Sequence, residues 1–223
     1  MCYNKGRETR RGGMRKRGTD MDEMQQQKIN ENRERFLGLF RAKIHRDGAE
    51  KLLTWLQNES DFFIAPASTK YHGNYPGGLV EHSLNVYDCL LDYLARPRVK
   101  EQYGLAYSEE TVAVVALCHD LCKVNFYKPG KRNVKDPDTG KWKEVESYTI
   151  DDTFPYGHGE KSVYMVQAFM QLKREEALAI RWHMGFSGQE DSSYVGQGFA
   201  AAPLAVALSV ADEEATFFME KQV

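Results

Sequence analysis

SEETVAVVALCHDLCK, residues 108–123, is the stretch on which the reading of this fold turns. Val112, Val115, His119 and Cys122 recur at three- and four-residue spacing, the mark of one face of an α-helix, here read over 108–122. Working outward, the same rule picks out Leu79, His82, Val86, Cys89 and Tyr93 within a helix over 79–95. It also picks out Leu204, Leu208, Asp212, Ala215 and Met219 within a helix over 201–219. Each stripe carries one ionisable group among residues due for burial.

A single histidine on an apolar stripe is most often a hydrogen-bonded core residue, and that reading stands for any one of these. A buried aspartate is harder to explain. Removing Asp212 from water costs several kcal/mol unless a cation replaces the lost hydration. Three helices each offering such a group to one core make metal coordination the economical account, because a divalent ion satisfies imidazoles and carboxylates together.

The remaining histidines are weighed against that idea. His119-Asp120 is an adjacent pair that chelates one ion if the helix end faces it. His158 lies in Gly157-His158-Gly159-Glu160, where small neighbours permit close approach, and His183 precedes Met184-Gly185 at a helix end. His72 sits in an aromatic loop, where it either lines a pocket or makes a loop hydrogen bond. His45 has no such context and takes no role. Cys118 and Cys122 are one helical turn apart, but no second cysteine pair completes a structural zinc site, so both are read as small core residues.

Around these motifs the chain reads as all-α with one β-excursion. Two N-terminal helices cover 24–46 and 49–59, and further helices cover 159–172 and 174–184. Within 124–156, Asp136-Pro137-Asp138-Thr139-Gly140 is a strong turn flanked by strand-like segments, a hairpin signature. The stretch from Gly185 to Ala202 is rich in Gly, Ser and Gln and reads as a loop, either a lid or loose surface. The expected organisation is a basic disordered tail over 1–21, then one helical domain over 22–223 with its metal-binding core at 72–216.

With 223 residues, 42% of them hydrophobic, the chain is long enough for one well-packed domain. The longest apolar run, Phe199 to Ala211, stops at Asp212-Glu213-Glu214, so no transmembrane helix and no membrane partner are expected. No apolar segment follows the basic N-terminus as in a secretory signal, and a cytoplasmic location is the expectation. In residues 1–18 seven Lys and Arg against Glu8 leave +6, so the rest of the chain carries −8. An acidic body argues against a broad footprint for duplex nucleic acid and fits a small anionic substrate drawn in by cations.

The order His82, His119-Asp120, His158, His183, Asp212 resembles the HD-domain metal-dependent phosphohydrolase superfamily. Locally, Gly77-Gly78-Leu79-Val80-Glu81-His82-Ser83-Leu84 is similar to the HD domain of 3′-to-5′ exoribonuclease-like proteins, and His119-Asp120-Leu121-Cys122-Lys123 to the HD-x-G-K signature. The resemblance implies an HD-type helical bundle. It implies that His82, His119, Asp120 and Asp212 hold one divalent ion (Mn, Fe, Co, Ni or Zn), with Asp120 bridging to a second held by His158 and His183. It also implies that Lys123 lies near a substrate phosphate, with Asp120 and Lys123 as the catalytic groups. Cys122 departs from the signature's glycine. The N-terminal region lacks the short alternating strands of the OB-fold with which the similar exoribonucleases hold RNA.

Two ions suit hydrolysis of a phosphate mono- or diester, with a nucleotide as the expected substrate and Lys123 and His72 as substrate contacts. Two other readings stay open: a single-strand nuclease assisted by the basic arm with Tyr71 and Tyr75, and a non-catalytic nucleotide sensor. Oligomeric state is not legible.

Overall fold

The computed structural model describes residues 13–188 and 191–220. Its helices are α1 (Gly13–Lys43), α2 (Ala49–Asn58), α3 (Gly78–Ala95), α4 (Pro97–Glu101), α5 (Glu109–Cys118), α6 (His158–Gln167), α7 (Arg174–Trp182), α8 (Ser192–Ala201) and α9 (Pro203–Glu214). An antiparallel hairpin, β1 (Tyr127–Lys135) and β2 (Trp142–Ile150), stands between α5 and α6. The expected all-α bundle with a β-excursion is therefore the observed architecture. Of the basic tail expected over 1–21, residues 1–12 lie outside the described residues, and 13–21 continue into α1.

The core is where the stripes meet. Leu79, Val86, Val112, Val115, Leu204 and Leu208 are all buried, and α3 packs against both α5 and α9. On the N-terminal side Phe36 and Phe40 of α1, Leu52, Leu53 and Leu56 of α2, and Phe62 extend the same core. An ionic clasp, fully buried at Glu176 and part-exposed at Arg46, closes this side. Arg46 donates to Glu176 Oε2 at 2.7 Å and Oε1 at 2.9 Å, while Thr111 Oγ1 and the Lys173 backbone N–H satisfy the same carboxylate.

Three expectations need correcting. The helix read over 108–122 ends at Cys118, and Leu121–Lys123 form a separate 3₁₀ turn. The segment from Gly185 to Ala202, read as a loop, contains α8. Asp191 caps that helix by accepting from the Ser193 N–H at 2.8 Å, and Val195 and Gly198 bury against α7. At Gly198 an added Cβ would lie 2.6 Å from the Trp182 ring, so this glycine marks close helix packing and not looseness. Finally, the stripe over 201–219 breaks after Ala215, where Ala215–Met219 form a π-turn and leave Met219 exposed.

The hairpin turn follows its sequence. Asp136 Oδ1 accepts from the N–H groups of Asp138 and Thr139, and Gly140 takes φ 67°. Hydrogen bonds from Tyr127 to the Ala67 carbonyl and from Ser147 to the Thr69 carbonyl tie the hairpin to the loop before α3. Among the described residues, no single helix is long and apolar enough to cross a membrane.

Candidate metal centre

The end of α5 is what makes an adjacent pair useful. His119 keeps helical angles, but Asp120 turns to φ −107°, ψ 20°, so both side chains enter one buried space. His82 comes from α3, His158 from the start of α6, His183 from the residue after α7, and Asp212 from α9. At Gly159 an added Cβ would meet the Arg181 carbonyl oxygen at 2.2 Å, so glycine lets the start of α6 approach the end of α7. All six residues expected as ligands are thereby brought together.

The two oxygens of Asp120 face different partners. Oδ2 lies 3.4 Å from His82 Nε2 and 3.5 Å from His119 Nε2. On that side His82 Nε2 is also 3.1 Å from Asp212 Oδ1 and 3.2 Å from His119 Nε2. Oδ1 lies 3.0 Å from His158 Nε2 and 3.7 Å from His183 Nε2, and those two nitrogens are 3.2 Å apart. Ligands at about 2.0–2.2 Å from a shared ion sit roughly 3–3.5 Å from one another, so the residues present fit divalent cations.

Backbone and carboxylate acceptors set the imidazoles. His119 Nδ1 donates to the Ala116 carbonyl at 2.8 Å and His183 Nδ1 to the Ile180 carbonyl at 2.7 Å. A carbonyl only accepts, so Nδ1 carries the proton and Nε2 presents its lone pair inward. His82 Nδ1 is held by Glu220 Oε1 at 2.9 Å, which also accepts from Asn85 at 3.2 Å. Sequence reasoning missed Glu220, because the π-turn breaks the α-helical register that could have pointed to it.

Electrostatics follow the same layout. Burial pushes the His119 imidazole down to about 3, leaving it neutral. Burial acts the same way on His82, but Asp212 and Glu220 outweigh it and raise that imidazole to about 10. Against its own burial, Asp120 is held well below the usual carboxylate range by Lys123 and the neighbouring imidazoles. Lys123 Nζ lies 2.6 Å from Asp120 Oδ2. The His72 ring lies 4.9 Å from the His82 ring, tilted by 37°, with its Nε2 buried and lacking a hydrogen-bond partner; burial and nearby positive charge lower it to about 4.

A cavity of about 330 Å³ opens beside these groups, lined by Lys123, Phe126, Tyr127, Asp152, His158 and Lys161 among others. It takes its far wall from the segment 124–156 that carries the hairpin.

A helical bundle that turns four imidazoles and two carboxylates onto one another is a donor set that could hold cations. The HD-domain family model matches residues 79–216, more than half the chain, and the chain belongs to that family. HD domains are generally metal-dependent phosphohydrolases that bind divalent cations, and the His/Asp clusters seen here are compatible with both. No curated protein and no solved structure matches the chain.

Proposed function

We propose that the protein hydrolyses a phosphate mono- or diester of a nucleotide, using two divalent cations that flank Asp120. His82, His119 and Asp212 would hold one with Asp120 Oδ2, and His158 and His183 the other with Oδ1. When bound, the ions acidify water and neutralise charge on the phosphoryl oxygens. The observation that carries this reading is the division of the Asp120 oxygens between two imidazole pairs.

The chain's own groups position the substrate. Lys123, anchored by Asp120, has further N–H groups to donate to a phosphoryl oxygen. Burial of the site removes competing water and strengthens that contact. Neutral His72 offers Nε2 as an acceptor or donor to the substrate's polar edge. The 330 Å³ cavity, with Phe126 and Tyr127 on its wall, has room for a base or sugar next to the phosphate.

The test is metal-dependent release of nitrophenol from phenyl phosphate mono- and diesters, followed by a panel of nucleotides. Asp120→Ala should abolish turnover, whereas unchanged turnover in that variant would refute the site.

A further inference from the structure

Solvent reaches the metal centre mainly at one imidazole. The His158 side chain is 35% exposed, against 16% for Asp212 and no more than 2% for His82, His119, Asp120 and His183. Two cavities meet there, and Gly157 and His158 line both. The first is the 330 Å³ cavity bounded by Lys123, Phe126 and Tyr127. The second, of about 440 Å³, is bounded by Arg181, Trp182, Met184, Gly185 and Ser187, on the turn that carries His183. Gly157 has no side chain and holds φ 85°, so the His158 ring is what divides the two.

We propose that the substrate is a phosphodiester joining two nucleosides, with its phosphate at His158 and one nucleoside in each cavity. The inference rests on the hydrolase reading above and names the substrate class for that site. A monoester carries a single organic group and would leave one cavity to water, whereas a diester fills both. Both volumes lie within the about 300–1,000 Å³ usual for small-molecule sites. Each cavity also offers a flat surface of the kind on which bases stack. In the first it is the rings of Phe126 and Tyr127. In the second it is the Arg181 guanidinium, 4.0 Å over the Trp182 ring and paired with Glu160. The reaction balances as a plain hydrolysis. Water adds to phosphorus, one P–O ester bond breaks, and its oxygen takes up the proton that water gives up. A nucleoside is left in one cavity and a nucleotide in the other.

The test uses full-length protein loaded with manganese, adenylyl-adenosine as the two-nucleoside ligand and AMP as its one-nucleoside counterpart. The dinucleotide should be cut to adenosine and AMP. It should also compete against nitrophenyl phosphate at least about tenfold more tightly than AMP does. Phe126→Ala alters the first cavity and Met184→Ala the second. Both should raise KM for the dinucleotide, by about tenfold each, while AMP should be weakened by one of them. A general loss of packing would instead weaken both ligands in both variants. That result, or AMP competing as tightly as the dinucleotide, would overturn the two-cavity reading. So would an uncut dinucleotide alongside continued release of nitrophenol, and each of these outcomes leaves the hydrolase reading standing. No metal-dependent turnover of any of the three esters would overturn both.

Discussion

Glu220 Oε1 accepts from His82 Nδ1 at 2.9 Å, although 138 positions separate the two residues. The contact fixes the ring so that Nε2 faces Asp120 and Asp212. Carboxylates that hold a metal-binding imidazole in this way typically contribute a factor of 10–100 in metal affinity. Glu220→Ala should therefore weaken cation binding about 10- to 100-fold. Glu220→Gln, which keeps an acceptor oxygen, should lose less. Competition against a chromophoric chelator measures both, and wild-type affinity in the alanine variant would show that Glu220 is only a packing residue.

The Arg46–Glu176 clasp should dominate stability on the side away from the metal centre. Glu176 is fully buried and the Arg46 side chain is only 14% exposed, so Glu176→Ala leaves a largely desolvated cation short of its main partner. The cost should be about 3 kcal/mol, at the low end for a broken buried pair because Arg46 keeps Glu110 at 3.2 Å. Urea unfolding reads this directly.

The same carboxyl sets a pH dependence. Burial pushes Glu176 up, but Arg46, the Lys173 N–H and the Thr111 hydroxyl outweigh it and lower it. A carboxyl depressed in the folded state stabilises above its unfolded value of about 4.3 and loses that contribution as pH falls through the folded value. The wild type should thus lose stability on acidification below about pH 4.3 more steeply than Glu176→Ala does. Parallel curves would mean the carboxyl is not depressed.

Gly198 and Gly196 lie in the same helix and should respond oppositely to alanine. A Cβ at 198 would press on the Trp182 ring at 2.6 Å, whereas one at 196 would meet nothing within 4 Å. Gly198→Ala should cost about 1–3 kcal/mol. Gly196→Ala should be neutral or stabilise by about 0.5–1 kcal/mol. Thermal melts of the pair test whether 192–201 is a packed helix or a loop.

Cations should stabilise the fold. At a free ion concentration about 100 times Kd, linkage adds about 2.7 kcal/mol. For a chain of this size that corresponds to roughly 5–10 °C in Tm. Chelator should remove the increment and fresh metal should restore it; superimposable melts would contradict cation binding by the native state.

The sequence carried much of this, for identifiable reasons. His82, His119 and Asp212 broke apolar stripes of period 3.6, which any buried polar group does visibly, and the Asp136–Gly140 turn announced the hairpin. What stayed hidden depends on departures from regular geometry. Periodicity extended the helix over 108–122 through a break at Asp120, and it carried the last stripe past the π-turn that brings Glu220 to His82. Cys122, read as core packing, turned out to face His158, because the 3₁₀ turn rotates it off the helix face on which it had been placed. Glycine content misled over 185–202, where Gly198 serves close contact with Trp182.

Anomalous diffraction from crystals soaked in a transition-metal salt bears most directly on the whole account. Two peaks should appear, one on each oxygen of Asp120, the first within bonding distance of His82, His119 and Asp212 and the second of His158 and His183. Density confined to the surface, with the Asp120 carboxylate left bare, would contradict it.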